Sequence, residues 1–164
     1  MEVQQQALQQ KIFTGFDIAE EAVSALHDPT FVRQAGYCQM FVRQVIQTTC
    51  GSIFNEYWRS SAADTMRAFY GSKYVVWEAS GGKQIPSLQD GDGLYKGRLT
   101  SGPFGHVGLA VNGKHLGLPS SVVCVCENSS YHVNPDHMGD IQGAKGWRSF
   151  DAFGPFEMIV RWSA

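Results

Sequence analysis

Ala35-Gly36-Tyr37-Cys38-Gln39-Met40-Phe41-Val42-Arg43-Gln44-Val45-Ile46 is the stretch from which the rest of the chain can be read. Gly36 breaks whatever precedes it. From Cys38 onward, Phe41, Val42, Val45 and Ile46 recur at the i, i+3, i+4, i+7 spacing of a helix with one buried face. Cys38 falls in the first turn, where backbone N–H groups lack helical partners and the positive end of the macrodipole gathers. A thiol so placed is biased toward thiolate, the nucleophilic form. The competing reading is a structural cysteine, since free cysteine is among the most buried residue types. A partner base decides between them.

Upstream, Phe16 to His27 carries Ile18, Ala22, Val23 and Leu26 at helical spacing, with acidic residues in its first half as the dipole favours. Asp28-Pro29-Thr30 reads as a helix restart, an aspartate cap followed by proline at the first helical position. Downstream, Gly51-Ser52 ends the Cys38 helix, and Ser60 or Ser61 caps a further one over Ala62 to Tyr70. The period then changes. Tyr74 to Glu78 and Leu94-Tyr95 are short β-forming runs. His106 to Val111 alternates with Val107, Leu109 and Val111 on one face, and Asn112-Gly113 turns the chain. Val122 to Cys126 is a continuous apolar run ending at Glu127-Asn128, and Phe156 to Trp162 alternates as a closing strand. Ser129 to Ser149, polar and glycine-rich, reads as a long functional loop. Helices followed by an antiparallel sheet make an α+β fold.

Composition limits the function classes. The 164 residues, 43% of them hydrophobic, suffice for one domain with a sizeable core. A formal net charge of −2 gives no footprint for nucleic acid or an anionic membrane, and no apolar run is long enough to span a bilayer. The glutamine-rich start, Met1 to Lys11, lacks the basic and apolar regions of a secretory signal, so synthesis and folding in a reducing cytosol are expected. The four cysteines match no paired zinc pattern; Cys50, Cys124 and Cys126 read as small core residues.

His106 is the candidate base for Cys38. It follows a glycine and opens a strand, and it shares a face with Gly108 and Ala110, whose small side chains leave a gap that the Cys38 helix would fill. Thiolate and imidazolium in contact stabilise each other's charge. His115 reads as a loop residue. His132 and His137, with Asp136 and Asp140, read as a solvated loop in preference to a metal site.

The ordered set Cys38…Phe41-Val42, Gly91-Asp92, Gly105-His106-Val107-Gly108 and Glu127-Asn128 resembles the CHAP family (cysteine, histidine-dependent amidohydrolases/peptidases) and, more distantly, the NlpC-type cell-wall peptidases. The likeness runs from about Phe31 to Trp162. It implies a papain-like domain over residues 29–164, preceded by a helical extension over residues 1–28. It also implies amide cleavage in peptidoglycan stem peptides, cross-bridges or the sugar–peptide link, as phage lysins do, at the wall or from a virion. On matching positions Cys38 would be the nucleophile and His106 the base, with Glu127 or Asn128 orienting the ring. Alternation sends Glu127 and Asn128 to opposite faces, so only one can meet His106, and Glu127 is preferred.

Family members carry glutamine immediately before the cysteine, where this chain has Tyr37, so a second oxyanion donor stays open between Tyr37 and Gln34. Trp147 and Tyr131 are candidates to line a substrate groove. The aspartate-rich calcium loop of some members is not visible ahead of Cys38, so no metal or other cofactor is expected, and the domain is expected to act as a monomer. Two alternatives share the fold: a papain-like protease acting on proteins, and an inactive wall-binding or virion module, which Tyr37 favours.

Overall fold

In the computed structural model, which describes residues 13–31, 36–129 and 136–163, three helices lie against one antiparallel sheet. The fold is α+β. Among the described residues the helices are α1 (Gly15–His27), α2 (Cys38–Cys50) and α3 (Ala62–Phe69), with two single turns, α4 (Arg98–Ser101) and α5 (Phe150–Phe153). The strands are β1 (Val75–Glu78), β2 (Gly93–Lys96), β3 (His106–Asn112), β4 (Val123–Asn128), β5 (Met138–Gln142), β6 (Lys145–Ser149) and β7 (Met158–Val160). They run β1-β7-β2-β3-β4-β6-β5 across the sheet. No described helix is long and apolar enough to cross a membrane.

The helix signals act as the sequence suggests. Thr14 and Asp17 form a capping box on α1, and Ser61 Oγ caps α3 through Asp64 N at 3.1 Å. Buried Phe41, Val42, Val45 and Ile46 on α2 share the main core with Val107, Leu109 and Val111 of β3 and with Cys124 and Cys126 of β4. Ile18, Ala19, Ala22, Ala25 and Leu26 of α1 belong to the same core. The expected extension over residues 1–28 therefore contains a helix built into the domain, because its apolar stripe is covered by α2 and β3. Lys145, fully buried on β6, donates to Ala25 O (2.7 Å) and Asp28 O (2.6 Å), placing a cation on the last carbonyls of α1.

Three expectations are corrected. Asp28 does not restart a helix at Thr30: its Oδ1 accepts from Thr30 N and Oγ1 at 2.9 and 2.7 Å, closing an Asx-type turn after α1. Met138 to Ser149 is not loop but the β5–β6 hairpin, and β6 pairs along β4. Its polar residues and glycines hid the period of 2, since side chains on the β4-facing ladder are chosen here for contacts other than apolar ones. The small-residue face of β3 is not covered by α2. Val125 and Phe153 of α5 fill the space over Gly108, where a Cβ would lie 2.4 Å from Val125 Cγ1 and 3.1 Å from Phe153.

Asp92, at the entry to β2, is fully buried and grips Arg161 through two 2.9 Å contacts, Nε to Oδ1 and Nη2 to Oδ2, while its Oδ2 accepts from Gln89 N. Removing one member of such a pair strands the other beside a buried void. Asp92→Ala is expected to lower unfolding stability by about 3–5 kcal/mol, and Asp92→Asn by less because it keeps one acceptor, as read by urea denaturation.

Candidate active site

Cys38 is the first residue of α2. Its N-cap, Tyr37, makes no side-chain cap, in contrast to Thr14 and Ser61 on the neighbouring helices. The first helical bond of α2 runs from Phe41 N to Tyr37 O, so the N–H groups of the preceding first-turn residues have no helical acceptor. The approach to Cys38 is tied to the far sheet by Gly36 N donating to Ser129 O at 3.1 Å.

His106 opens β3 and is 5% exposed. Its position depends on Gly105, whose φ of +68° suits glycine and whose missing Cβ would otherwise stand 2.4 Å from Lys96 O and 2.8 Å from Ala63 N. Ala63 N donates to Phe104 O at 3.0 Å, so this loop is clamped between β2 and the start of α3.

The His106 ring is shared between two side chains. Nε2 lies 3.0 Å from Glu127 Oε1, and the Cys38 side chain acts on the same ring. Burial pulls the imidazole pKa down; the Cys38 contact and the Glu127 hydrogen bond, with the charges on both groups, outweigh it and lift the ring to about 9. Nδ1 is buried and has no hydrogen-bond partner.

Glu127 is the centre of a larger network. Fully buried, it meets His106 on Oε1, His137 Nε2 on Oε2 at 3.0 Å, and Arg148, whose Nε and Nη2 stand 3.0 and 2.9 Å from Oε1. Burial alone would raise its pKa. The hydrogen bonds from both histidines and the charges of His106 and Arg148 win, holding the carboxyl well below the usual carboxylate range. It is therefore ionised beside the His106 ring. Asn128 lies on the opposite face of β4, next to Lys145 across the ladder.

The network was partly hidden in the sequence. His137, expected as a solvated loop residue, has a side chain with no exposure, seated on Gly146, where a Cβ would lie 2.3 Å from His137 Nδ1. Gly146 is the register partner of Glu127, and Arg148 that of Val125, so both sit on the Glu127 face. Reading β6 as a strand would have revealed them. His115 is likewise no loose loop residue: its side chain is buried, with Nε2 2.8 Å from Asp90 Oδ2 and Nδ1 3.3 Å from Glu20 Oε1, tying the Gly113–Leu116 turn to α1. Among the described residues, no group of three His, Cys, Asp or Glu is placed to hold a metal ion.

A cleft of about 640 Å³ opens at Cys38 between the first turn of α2, the start of α3 and the Phe104-Gly105 loop. Tyr37 lines it. Trp147 does not; it packs against the main core, opposite Cys126 and Met138. Gln34 and Tyr131 lie outside the described residues. Gln39, also on the cleft, is 4% exposed; its Oε1 accepts from Tyr95 Oη at 3.4 Å, and its Nε2 has no acceptor. A buried amide without an acceptor costs about 1–3 kcal/mol, so its presence beside Cys38 calls for a physical reason.

No protein-family model matches this chain, and no curated protein or solved structure matches it.

Proposed function

We propose that the protein is a papain-like cysteine amidohydrolase that cleaves amide bonds in peptidoglycan stem peptides or cross-bridges. The observation that carries the reading is the convergence on one imidazole of a helix-tip thiol and a buried, ionised carboxylate. That is the arrangement nucleophilic amide cleavage requires: a nucleophile, a base facing it, and a third group orienting the base.

In the proposed reaction Cys38 Sγ gives its proton to His106 and attacks the amide carbon, forming a C–S bond and a tetrahedral oxyanion. The His106 proton passes to the leaving nitrogen as the C–N bond breaks, leaving a thioester. Water, deprotonated by His106, then adds to the thioester and releases the acid and the thiol. Glu127 stays ionised throughout and holds the ring through Nε2. The Cys38 backbone N–H serves as one oxyanion donor. Gln39 Nε2 serves as the second, because among the described residues it is a buried donor at the cleft that lacks an acceptor. Gln39→Leu is expected to lower kcat about 10²-fold with KM nearly unchanged, since the lost bond forms only at the oxyanion.

The test is digestion of purified bacterial cell walls, with mass spectrometry of the released fragments, run beside a peptide library. Wall fragments with new amine and carboxyl ends, absent from the Cys38→Ala digest, support the reading. Cleavage of library peptides alone shifts it to a protease acting on proteins. Neither would leave an inactive binding module. The protein is proposed to act as a monomer.

A further inference from the structure

The walls of the Cys38 cleft carry two guanidinium groups, Arg43 and Arg59, and no carboxylate among the described lining residues. This is not a reflection of a basic chain, whose formal net charge is −2. Arg43 stands on α2 beyond the nucleophile, is exposed, and has no carboxylate partner among the described residues. Arg59 stands across the cleft ahead of α3. Its Nη1 donates to Glu56 O at 2.7 Å and Trp58 O at 3.0 Å, which anchors the guanidinium and leaves its other nitrogens without a described acceptor. The nearby Asp64 does not neutralise either group, being paired with Arg67 at 3.0 Å. Beside the arginines the cleft shows apolar surface: Tyr37 and Met40 are each 44% exposed, and Phe104 is 76% exposed.

We propose that this cleft selects an acidic peptide, with a free carboxylate close to the scissile amide held by Arg43 and Arg59 while apolar groups rest on Tyr37, Met40 and Phe104. The proposal rests on the amidohydrolase reading and adds its substrate class. A planar guanidinium matches a carboxylate by paired N–H donors, and one already fixed by backbone carbonyls loses less entropy on binding.

The experiment uses the full chain carrying Cys38→Ala, so that binding is read without turnover. Calorimetry compares two unlabelled pentapeptides identical except for glutamate or glutamine at one central position. The glutamate peptide is expected to bind about tenfold tighter, to weaken as sodium chloride rises from about 0.05 to about 0.5 M, and to lose its advantage when R43Q and R59Q are added. Equal affinity for the two peptides, an advantage that survives R43Q/R59Q, or no binding of either peptide overturns the proposal. In parallel, iodoacetamide labelling of Cys38 is measured in the R43Q/R59Q protein with Cys38 intact. Retained labelling with lost discrimination supports the assignment. Failed labelling of wild-type Cys38 would instead count against the nucleophile itself, which separates the two claims.

Discussion

Cys38→Ala is expected to abolish amide hydrolysis, by about 10⁴-fold or more, while leaving the fold intact. Among the described residues the thiol is the group at the tip of α2 able to form the thioester, and the other cysteines lie away from the cleft. Burial also pushes their thiols up, Cys50 to about 12 with Cys124 and Cys126 likewise raised, so alkylation near neutral pH should fall on Cys38 first. The stability cost should stay near 1 kcal/mol, because only a small side chain at the cleft wall is shortened. Circular dichroism and thermal melting check the fold. Equal labelling of all four thiols only after denaturation would end the nucleophile assignment.

The same substitution has a spectroscopic consequence. Cys38 helps raise His106, so in Cys38→Ala the imidazole should titrate below its wild-type value of about 9, as followed by NMR. The sign for stability follows from linkage. A histidine whose folded pKa is raised stabilises the fold fully below its unfolded value of about 6.5, and that contribution is lost as pH rises through about 9. The wild type should therefore lose on the order of 3 kcal/mol between those limits on account of this residue, and Cys38→Ala should lose less. Activity should show a basic limb near 9, where His106 ceases to hold the proton for the leaving nitrogen.

Glu127→Gln is expected to be the most damaging change that keeps side-chain volume. It removes the charge that faces His106, His137 and Arg148 at once, and a neutral amide can satisfy the acceptor needs of only one or two of them. Leaving buried cationic groups without their counter-charge should cost about 3–5 kcal/mol of stability. The remaining folded protein should turn over about 10²–10⁴-fold more slowly, because the ring is no longer held through Nε2 by an ionised carboxylate. The basic limb should move to lower pH, a shift that a purely structural lesion would not produce. Glu127→Asp, which keeps the charge, should restore part of both.

Glu127 also sets the acid side. Its folded pKa is depressed, so its stabilisation is present above the ordinary value of about 4.3 and is withdrawn only as pH falls through the depressed one. The stability gap between wild type and Glu127→Gln should thus persist through mildly acidic conditions and close only at strongly acidic pH. A gap that closes near pH 5 would contradict the buried, ionised carboxylate. Asn128→Asp, on the other face of β4, should leave the His106 titration unmoved.

Local pattern was enough for the scaffold and two of its chemical groups. The spacing of Phe41, Val42, Val45 and Ile46 dictates a helix and puts Cys38 at its tip, and the alternation after His106 dictates a strand that begins at the imidazole. Those are properties of a few consecutive residues, set by backbone period and solvent. Alternation also separated Glu127 from Asn128, though not which of them faced the base. That choice, the recruitment of His137 and Arg148, and the cleft walls at Arg59 and Phe104 depend on register between strands and on packing between elements remote in the chain. β6 shows the reason most plainly. Gly146 and Arg148 have no apolar signature of a strand, because their places are determined by a histidine that needs room and a carboxylate that needs a cation, and both of those arrive only with the folded sheet.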